Sequence, residues 1–142
     1  MSWFPLEKVL VPVDFSDSSL KAVDTALQLV EEPERLYLIH VLPPLAANDP
    51  AVLYDVVSEE AATRRVEQRM RELFGSSRYA GHRSTVAFGA PAAEIASYAE
   101  QTGIDLIVLP SHGRTGMKRL LIGSVAERVV RLAHCPVLVL KD

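Results

Sequence analysis

The residue types best suited to holding a phosphate lie in one loop, between an apolar run that ends at Leu109 and a helix that starts near Ser124. Glycines let the backbone come close to a ligand, and cationic side chains beside them attract an anion. The glycines of this segment are Gly113, Gly116 and Gly123. Its cations are Arg114, Lys118 and Arg119. The composition of the loop suits a polyphosphate.

The start of the following helix supports the same chemistry. Ser124 with Glu127 three residues later matches a capping box, so we predict that a helix begins here. The first N–H groups of such a helix point back at the loop, and a helix N-terminus attracts anions. The alternative is that the glycines only make turns and the cations form a solvated surface, because phosphate motifs also occur by chance.

Composition restricts the class of protein. With 142 residues, 49% hydrophobic and 23% charged, the chain is predicted to form one domain over residues 1–142. A net charge of −3 argues against duplex nucleic acid as a principal partner. The first residues, MSWFPLEK, show no signal peptide, and no apolar run approaches the roughly 18 residues that span a bilayer. We therefore expect a cytoplasmic protein that has no membrane contact.

Strands and helices are predicted to alternate along the whole chain, because short apolar runs alternate with segments of helical periodicity. The predicted strands are Val9–Val13, Leu36–Leu42, Ser84–Phe88, Leu106–Leu109 and Val137–Leu140. The predicted helices run from the cap candidates Ser16–Ser19 to Val30, from Asp49 to Gly75 with a possible break, from Pro91 to Gly103, and from Ser124 to Ala133.

This alternation predicts an α/β fold with a five-stranded parallel sheet and helices on both faces, since parallel strands need crossovers and both faces must be covered. Ligands bind such sheets beyond the carboxyl ends of the strands, where the strand order reverses. If the first strand is central and the fourth lies beside it, the segment Pro12–Ser16 faces the glycine loop. We expect the two segments to share one crevice.

Other chemistries lack their sequence signatures. There is no Walker A sequence, no G-x-S-x-G and no G-x-G-x-x-G, and no cluster of metal ligands at useful spacing. His40 lies in an apolar run and is predicted to be a hydrogen-bonded core residue, whereas His112 lies in the loop and could contact phosphate. Cys135, the single cysteine, is expected to pack rather than react. No catalytic residue and no protein-held metal is predicted, and any metal would be Mg²⁺ on nucleotide phosphates.

Five segments together resemble the universal stress protein family over essentially the whole chain. They are VLVPVDFSDSS at 9–19, IHVL at 39–42, GAPAAEIASYA at 89–99, DLIVLPSHGRTGMKRLLIGSVAERVV at 105–130 and CPVLVLK at 135–141. The resemblance implies a five-stranded α/β fold of order 3-2-1-4-5, similar to the adenine nucleotide alpha hydrolases. It also implies a family that has members that bind ATP and members that do not.

The ATP-binding signature of that family is a glycine, two residues, a second glycine, nine residues, then glycine and serine or threonine. In this chain Gly113 matches the second glycine, and Gly123 and Ser124 close the motif, but Pro110 occupies the first position. Proline has no N–H and cannot adopt positive φ. The loss of one neutral hydrogen bond costs about 0.5 to 1.5 kcal/mol, or up to roughly tenfold in affinity, so ATP remains the expected ligand.

The resemblance also implies roles for individual residues. Asp14 would meet the ribose hydroxyls, and the turn Pro12–Phe15 with the backbone of Val41 would hold the adenine. The alternative for Asp14 is a turn or helix-capping residue. The predicted nucleotide contacts are Pro12, Val13, Asp14, Phe15, Val41, Pro110, His112, Gly113, Arg114, Gly116, Gly123, Ser124 and Val125.

The resulting functional hypothesis is a stress-response regulatory protein that binds ATP without needing to turn it over. The alternatives are a slow ATPase or phosphotransfer enzyme in the same crevice, and a nucleotide-free interaction module. In the order 3-2-1-4-5 the last strand lies at a sheet edge, which invites pairing with another chain. We therefore predict a homodimer through Val137, Leu138 and Val139, as the family resemblance also implies.

Overall fold

The structure is a computed structural model that describes residues 4–45, 58–113 and 122–141. These residues form five strands and four α-helices, with short 3-10 helices at Pro33–Arg35 and Ser77–Tyr79. The strands are β1 (Val9–Pro12), β2 (Leu36–Leu42), β3 (Arg83–Phe88), β4 (Leu106–Pro110) and β5 (Val137–Leu140). The helices are α1 (Asp17–Leu29), α2 (Glu59–Phe74), α3 (Pro91–Thr102) and α4 (Ser124–Leu132).

All strand pairs are parallel and the sheet order is β3-β2-β1-β4-β5, which confirms the predicted order 3-2-1-4-5. The strand order reverses between β1 and β4. Each strand is within one residue of its predicted bounds at either end, because the apolar runs are short and end at polar residues, glycine or proline. The fold class is therefore confirmed.

Helix α1 begins where the sequence offers a cap. The Ser16 hydroxyl accepts a hydrogen bond from the Ser19 N–H, and the Ser19 hydroxyl donates to the Ser16 carbonyl at 3.0 Å. Ala22, Val23 and Ala26 recur at helical spacing and are buried against the sheet. The cap at Ser16 therefore sets where the chain turns from β1 into α1.

The predicted Asp49–Gly75 helix is described only in its second part. Helix α2 begins at Glu59 with Ser58 as its cap and is followed by Gly75. The segment 46–57, on which the first half of that prediction falls, lies outside the described residues.

Helices α3 and α4 lie on the face of the sheet opposite to α1 and α2. The end of α3 was predicted correctly, whereas the cap of α4 was not. Gly103 ends α3 with φ of 72°, a left-handed conformation that glycine adopts without strain. The capping box at Ser124 and Glu127 was wrong: Gly123 is the cap residue of α4, and no side-chain hydrogen bond caps the helix. Ser124 is the first helical residue, so its hydroxyl is one position too late to act as the cap.

Two apolar clusters fill the space between the helices and the sheet. The first lies under α1 and α2 and includes Val11, Leu38 and Phe74. The second lies under α3 and α4 and includes Ile95 and other buried aliphatic residues. Because both faces are covered, the strand ends are the part of the sheet that a ligand can reach. Among the described residues, no helix is long and apolar enough to cross a membrane.

Candidate functional site

The crevice lies where β1 and β4 part. Their pairing covers only Val9 with Leu106 and Leu10 with Ile107, although both strands continue toward their carboxyl ends. A cavity of about 350 Å³ opens beyond these pairs, at the point where the strand order reverses. This is the position at which open α/β sheets bind ligands.

Two prolines explain why the strands separate. The N–H of Val13 donates to β2, so the backbone nitrogen of the preceding residue, Pro12, faces β4. The N–H of Ser111 donates to β5, so the nitrogen of Pro110 faces β1. Both nitrogens point into the gap, and proline has no hydrogen to donate. The departure from the family signature at Pro110 therefore removes a donor from the crevice itself.

The Asp14 carboxylate is held at the edge of this cavity by the residue that caps α1. Its Oδ1 accepts hydrogen bonds from the Ser16 N–H at 2.9 Å and from the Ser16 hydroxyl. Asp14 is thus also a turn residue, as the alternative interpretation proposed. The two roles are compatible, because these bonds use Oδ1, while Oδ2 lies on the side of Gly113.

Gly113 lies opposite that second oxygen. A Cβ atom built on Gly113 would stand 2.9 Å from Asp14 Oδ2, closer than a carbon normally approaches an oxygen. The close approach joins the ends of β1 and β4, as the topology predicted. A side chain at position 113 would meet the Asp14 carboxylate.

The N-terminus of α4 closes another side of the cavity. The Gly123 N–H donates to the Ser111 carbonyl at 2.5 Å, which ties the helix start to the end of β4. Gly123, Ser124 and Val125 line the cavity together with Ala126. Since no side chain caps α4, the N–H groups of its first turn are suited to an anion.

A short polar pair leads from β4 into the loop. Ser111 is 3% exposed, and its hydroxyl lies 3.2 Å from Nδ1 of His112. Both residues line the cavity. The histidine is therefore placed where it could contact a bound phosphate, with its ring oriented by the serine.

Phe15 is the predicted site residue that does not line the cavity, among those the structure describes. Its φ is 65°, a left-handed conformation that is unusual for a residue with a side chain. Its ring lies on the face of the sheet that α1 and α2 cover, 4.8 Å from the His40 ring. The adenine contact of Phe15 stays a prediction, and its ring packs beneath the turn.

The other described site residues are brought together as predicted. Those that line the cavity are Pro12, Val13, Asp14, Val41, Pro110, His112, Gly113, Gly123, Ser124 and Val125. The predictions for Arg114 and Gly116 lie outside the described residues, as do Lys118 and Arg119. One crevice therefore collects residues from β1, β2, β4 and α4.

Several lining residues were not predicted: Ser19, Ile39, His40, Pro91, Ile95, Leu109, Ser111 and Ala126. Most are aliphatic, which suits the faces of a nucleobase. Two signals could have indicated some of them. Leu109 ends the predicted fourth strand, and Pro91 opens a predicted helix directly after the third strand, so both lie at the carboxyl edge of the sheet.

Two groups outside the cavity have a raised pKa. Burial raises the pKa of the Cys135 thiol, and the nearby Asp105 carboxylate raises it further. Cys135 packs on the second apolar cluster, as expected for a packing residue. Burial and the Asp24 carboxylate raise the pKa of Tyr79. The described residues contain no group of three or more side chains that could hold a metal ion.

Comparison with known proteins agrees with this geometry. The model of the universal stress protein family matches residues 5–141. Universal stress protein MJ0531 of Methanocaldococcus jannaschii is 36% identical over 144 residues, covering 95% of this chain and 82% of that protein. Universal stress protein YxiE of Bacillus subtilis is 30% identical, covering 94% of this chain and 98% of that protein.

Solved structures share the fold. The structure of MJ0577 from M. jannaschii is similar with a TM-score of 0.80 at 28% identity, covering 96% of both chains. A universal stress protein solved in complex with cAMP is similar with a TM-score of 0.61 at 26% identity, covering 96% of this chain and 97% of the other. The family model spans nearly the whole sequence. The chain belongs to the universal stress protein family.

Proposed function

We propose that this protein binds ATP in the crevice between β1 and β4 and acts as a nucleotide-responsive regulator in the cytoplasm. The observation that carries the proposal is the meeting of Asp14, Gly113 and the Gly123 end of α4 around one cavity of about 350 Å³. A carboxylate, a close backbone approach and a helix N-terminus are the groups that a ribose and a phosphate chain require.

The cavity offers a different chemistry to each part of the nucleotide. The aliphatic side, with Ile39, Val41 and Leu109, suits the base. Asp14 Oδ2 is directed into the crevice and can accept bonds from ribose hydroxyls. The α4 N-terminus and the adjacent loop suit the phosphates, and Mg²⁺ would be carried by those phosphates.

A related universal stress protein has been solved in complex with cAMP, which supports an adenine nucleotide as the ligand class. Proline at position 110, in place of the glycine of the family signature, removes one backbone hydrogen-bond donor from the site. The remaining donors of the crevice, at Gly113 and along the first turn of α4, are backbone groups that do not depend on position 110. Binding is therefore expected to persist with an affinity reduced by up to about tenfold.

The proposed mode is binding without turnover, and the placement of Asp14 supports it. Asp14 is the carboxylate that lines the described part of the cavity, and Ser16 ties it to the turn after β1. It lies at the proposed ribose end, so it cannot also activate water beside a γ-phosphate. The slow ATPase remains an outcome to be tested, by measuring phosphate release at substoichiometric protein.

We also propose a homodimer through the edge strand β5. In the described residues β5 pairs with β4 only, and Leu138 is 37% exposed. The neighbouring helix α4 leaves Val130 and Leu132 exposed by 49% and 47%. An apolar edge strand beside exposed aliphatic residues favours a partner that covers both.

Isothermal titration of nucleotide-stripped protein with Mg-ATP tests the proposed binding. A graded series at Gly123 gives the direct comparison, because a Cβ there would lie 3.0 Å from the Ser111 carbonyl oxygen. Gly123→Ala should weaken binding slightly, and Gly123→Val, which adds two further methyl groups, by about tenfold or more. The valine forces the helix start away from β4 and from the phosphates.

Adenosine provides the internal control for this series. It lacks phosphates, so its affinity should change less than that of ATP when Gly123 is replaced. Absence of ATP binding to the wild-type protein would overturn the proposal and favour the nucleotide-free interaction module. Equal binding by wild type and Gly123→Val would place the phosphates away from α4.

A further inference from the structure

His40 lies on β2, beside the proposed nucleotide crevice. It alternates along β2 with Ile39 and Val41, which pack on the cluster under α3 and α4. Neighbouring side chains of a strand point to opposite faces, so the imidazole of His40 lies on the face under α1 and α2. It is thus placed beneath the turn that follows β1, where Phe15 also packs.

The imidazole holds the backbone of that turn. His40 Nδ1 lies 2.5 Å from the carbonyl oxygen of Val13. A carbonyl oxygen only accepts, so Nδ1 carries the proton and the tautomer is fixed. The Val13 N–H donates to the Ile39 carbonyl at 2.8 Å. Val13 is therefore bonded to β2 through both its N–H and its carbonyl group.

The same ring supports the unusual conformation of Phe15. The two ring centroids are 4.8 Å apart at an interplanar angle of 39°, and the guanidinium carbon of Arg69 lies 6.0 Å from the Phe15 ring centroid. A left-handed residue with a large side chain persists only where its surroundings hold it. Aromatic and cation–π contacts of this kind supply that support.

Asp14 lies between the two residues that His40 holds. Val13 is fixed by the imidazole hydrogen bond and Phe15 by the ring contact. A change in the Asp14 backbone would disturb the Val13 hydrogen bond or the Phe15 ring contact, and this turn places Asp14 Oδ2 on the side of Gly113. His40 lines the cavity, and through its Nδ1 bond and its ring contact it also acts on the turn that carries Asp14, the proposed ribose partner.

We propose that His40 is a positioning residue of the nucleotide site, which sets the Val13–Phe15 turn so that Asp14 can meet the ribose. The proposal rests on nucleotide binding in the crevice. It assigns the effect to one atom, Nδ1, and to the ribose and base end of the ligand. The phosphate end, at the start of α4, is not reached by this contact.

Two amide variants test the role of that atom. The side-chain amide of asparagine can place its nitrogen near Nδ1, whereas the longer glutamine side chain places its amide near Nε2. His40→Gln is expected to lower nucleotide affinity about three- to tenfold, as for the loss of one hydrogen bond, and His40→Asn to stay within about twofold of wild type. Affinities for ATP and for adenosine are measured by titration calorimetry. The loss should be the same factor for both ligands.

His82 supplies a matched control. Its Nδ1 lies 2.8 Å from the Tyr79 carbonyl oxygen, so it makes the same type of bond, at a position outside the cavity lining. His82→Gln should lower the melting temperature as much as His40→Gln does, without changing nucleotide affinity. A merely structural role for His40 would give the two variants the same behaviour.

The outcomes separate the inference from the function on which it rests. If wild type binds ATP and His40→Gln binds equally well, or if His40→Asn binds as weakly as His40→Gln, the positioning role is overturned while the binding function stands. A loss confined to ATP, with adenosine unchanged, also overturns it. If wild type binds neither ligand, the proposed function fails and the positioning role fails with it.

Discussion

Alanine in place of Gly113 is expected to weaken ATP binding by about tenfold to a hundredfold, because its methyl group would displace the Asp14 carboxylate. The Cβ would stand 2.9 Å from Oδ2, and that oxygen is the end of a side chain that can rotate away. Oδ1 is bonded to Ser16, so moving the carboxylate also breaks the contacts that orient it. The ribose hydroxyls would lose an ionised acceptor.

A double-mutant cycle identifies the cause of the loss. Asp14→Ala, Gly113→Ala and the double variant are each titrated with Mg-ATP. If the methyl group acts through Asp14, the double variant binds no more weakly than Asp14→Ala, since the carboxylate is already absent. Additive losses would contradict this mechanism and would assign Gly113 a separate contact with the ligand.

Gly103 gives the matched glycine control. It has φ of 72° and no atom within 4 Å of a built Cβ, so Gly103→Ala adds a methyl group in open space. The left-handed backbone makes this change cost about 1 to 2 kcal/mol in the free energy of unfolding. Thermal unfolding should report that cost, and ATP affinity should remain at the wild-type value. A loss of affinity here would show that general destabilisation accounts for the Gly113 result.

The fold was predictable because its signals are local. The strand ends at Leu42 and Leu140, the cap at Ser16 and the glycine that ends α3 all follow from apolar runs and standard capping chemistry. The alternation of these elements then allows few topologies. The order 3-2-1-4-5 was implied by the family resemblance, and it places Asp14 and Gly113 at the carboxyl ends of neighbouring strands.

The details that needed the structure depend on register and packing. The capping box failed because Gly123, one residue earlier, already serves as the cap and donates to Ser111. The effect of Pro110 depends on which neighbour each backbone nitrogen faces, and a sequence does not give that direction. The left-handed Phe15 and its contact with His40 lie between segments that are distant in sequence. That residues 1–142 form one domain stays a prediction.

Lysine in place of Leu138 is expected to dissociate the proposed homodimer. In a two-fold interface each substitution occurs twice, and the two introduced ammonium groups would face the same buried patch. An unpaired charge left buried costs several kcal/mol, so the dimer dissociation constant should rise by at least about a hundredfold. Sedimentation velocity at micromolar concentration should show a dimer for wild type and a monomer for Leu138→Lys.

Leu138 is a better position for this test than its neighbours. Val137 and Val139 pack on the cluster under α3 and α4, so a lysine at Val139 would damage the fold as well as the interface and could give aggregates. Leu138 is the most exposed residue of β5, at 37%, so its replacement removes less burial from the fold than a change at Val137 or Val139. Thermal unfolding of Leu138→Lys should confirm that its folded state is retained.

The opposite edge of the sheet supplies the control for the dimer. Ser84 lies on the edge strand β3 and is exposed, so Ser84→Lys adds the same charge to the other edge. It should leave the dimer intact, because the apolar side chains that favour association are at β5 and α4. A wild-type monomer, or a Leu138→Lys variant that still sediments as a dimer, would mean that β5 is not the interface. Nucleotide affinity should be the same in monomer and dimer, since the residues that line the crevice do not include Leu138.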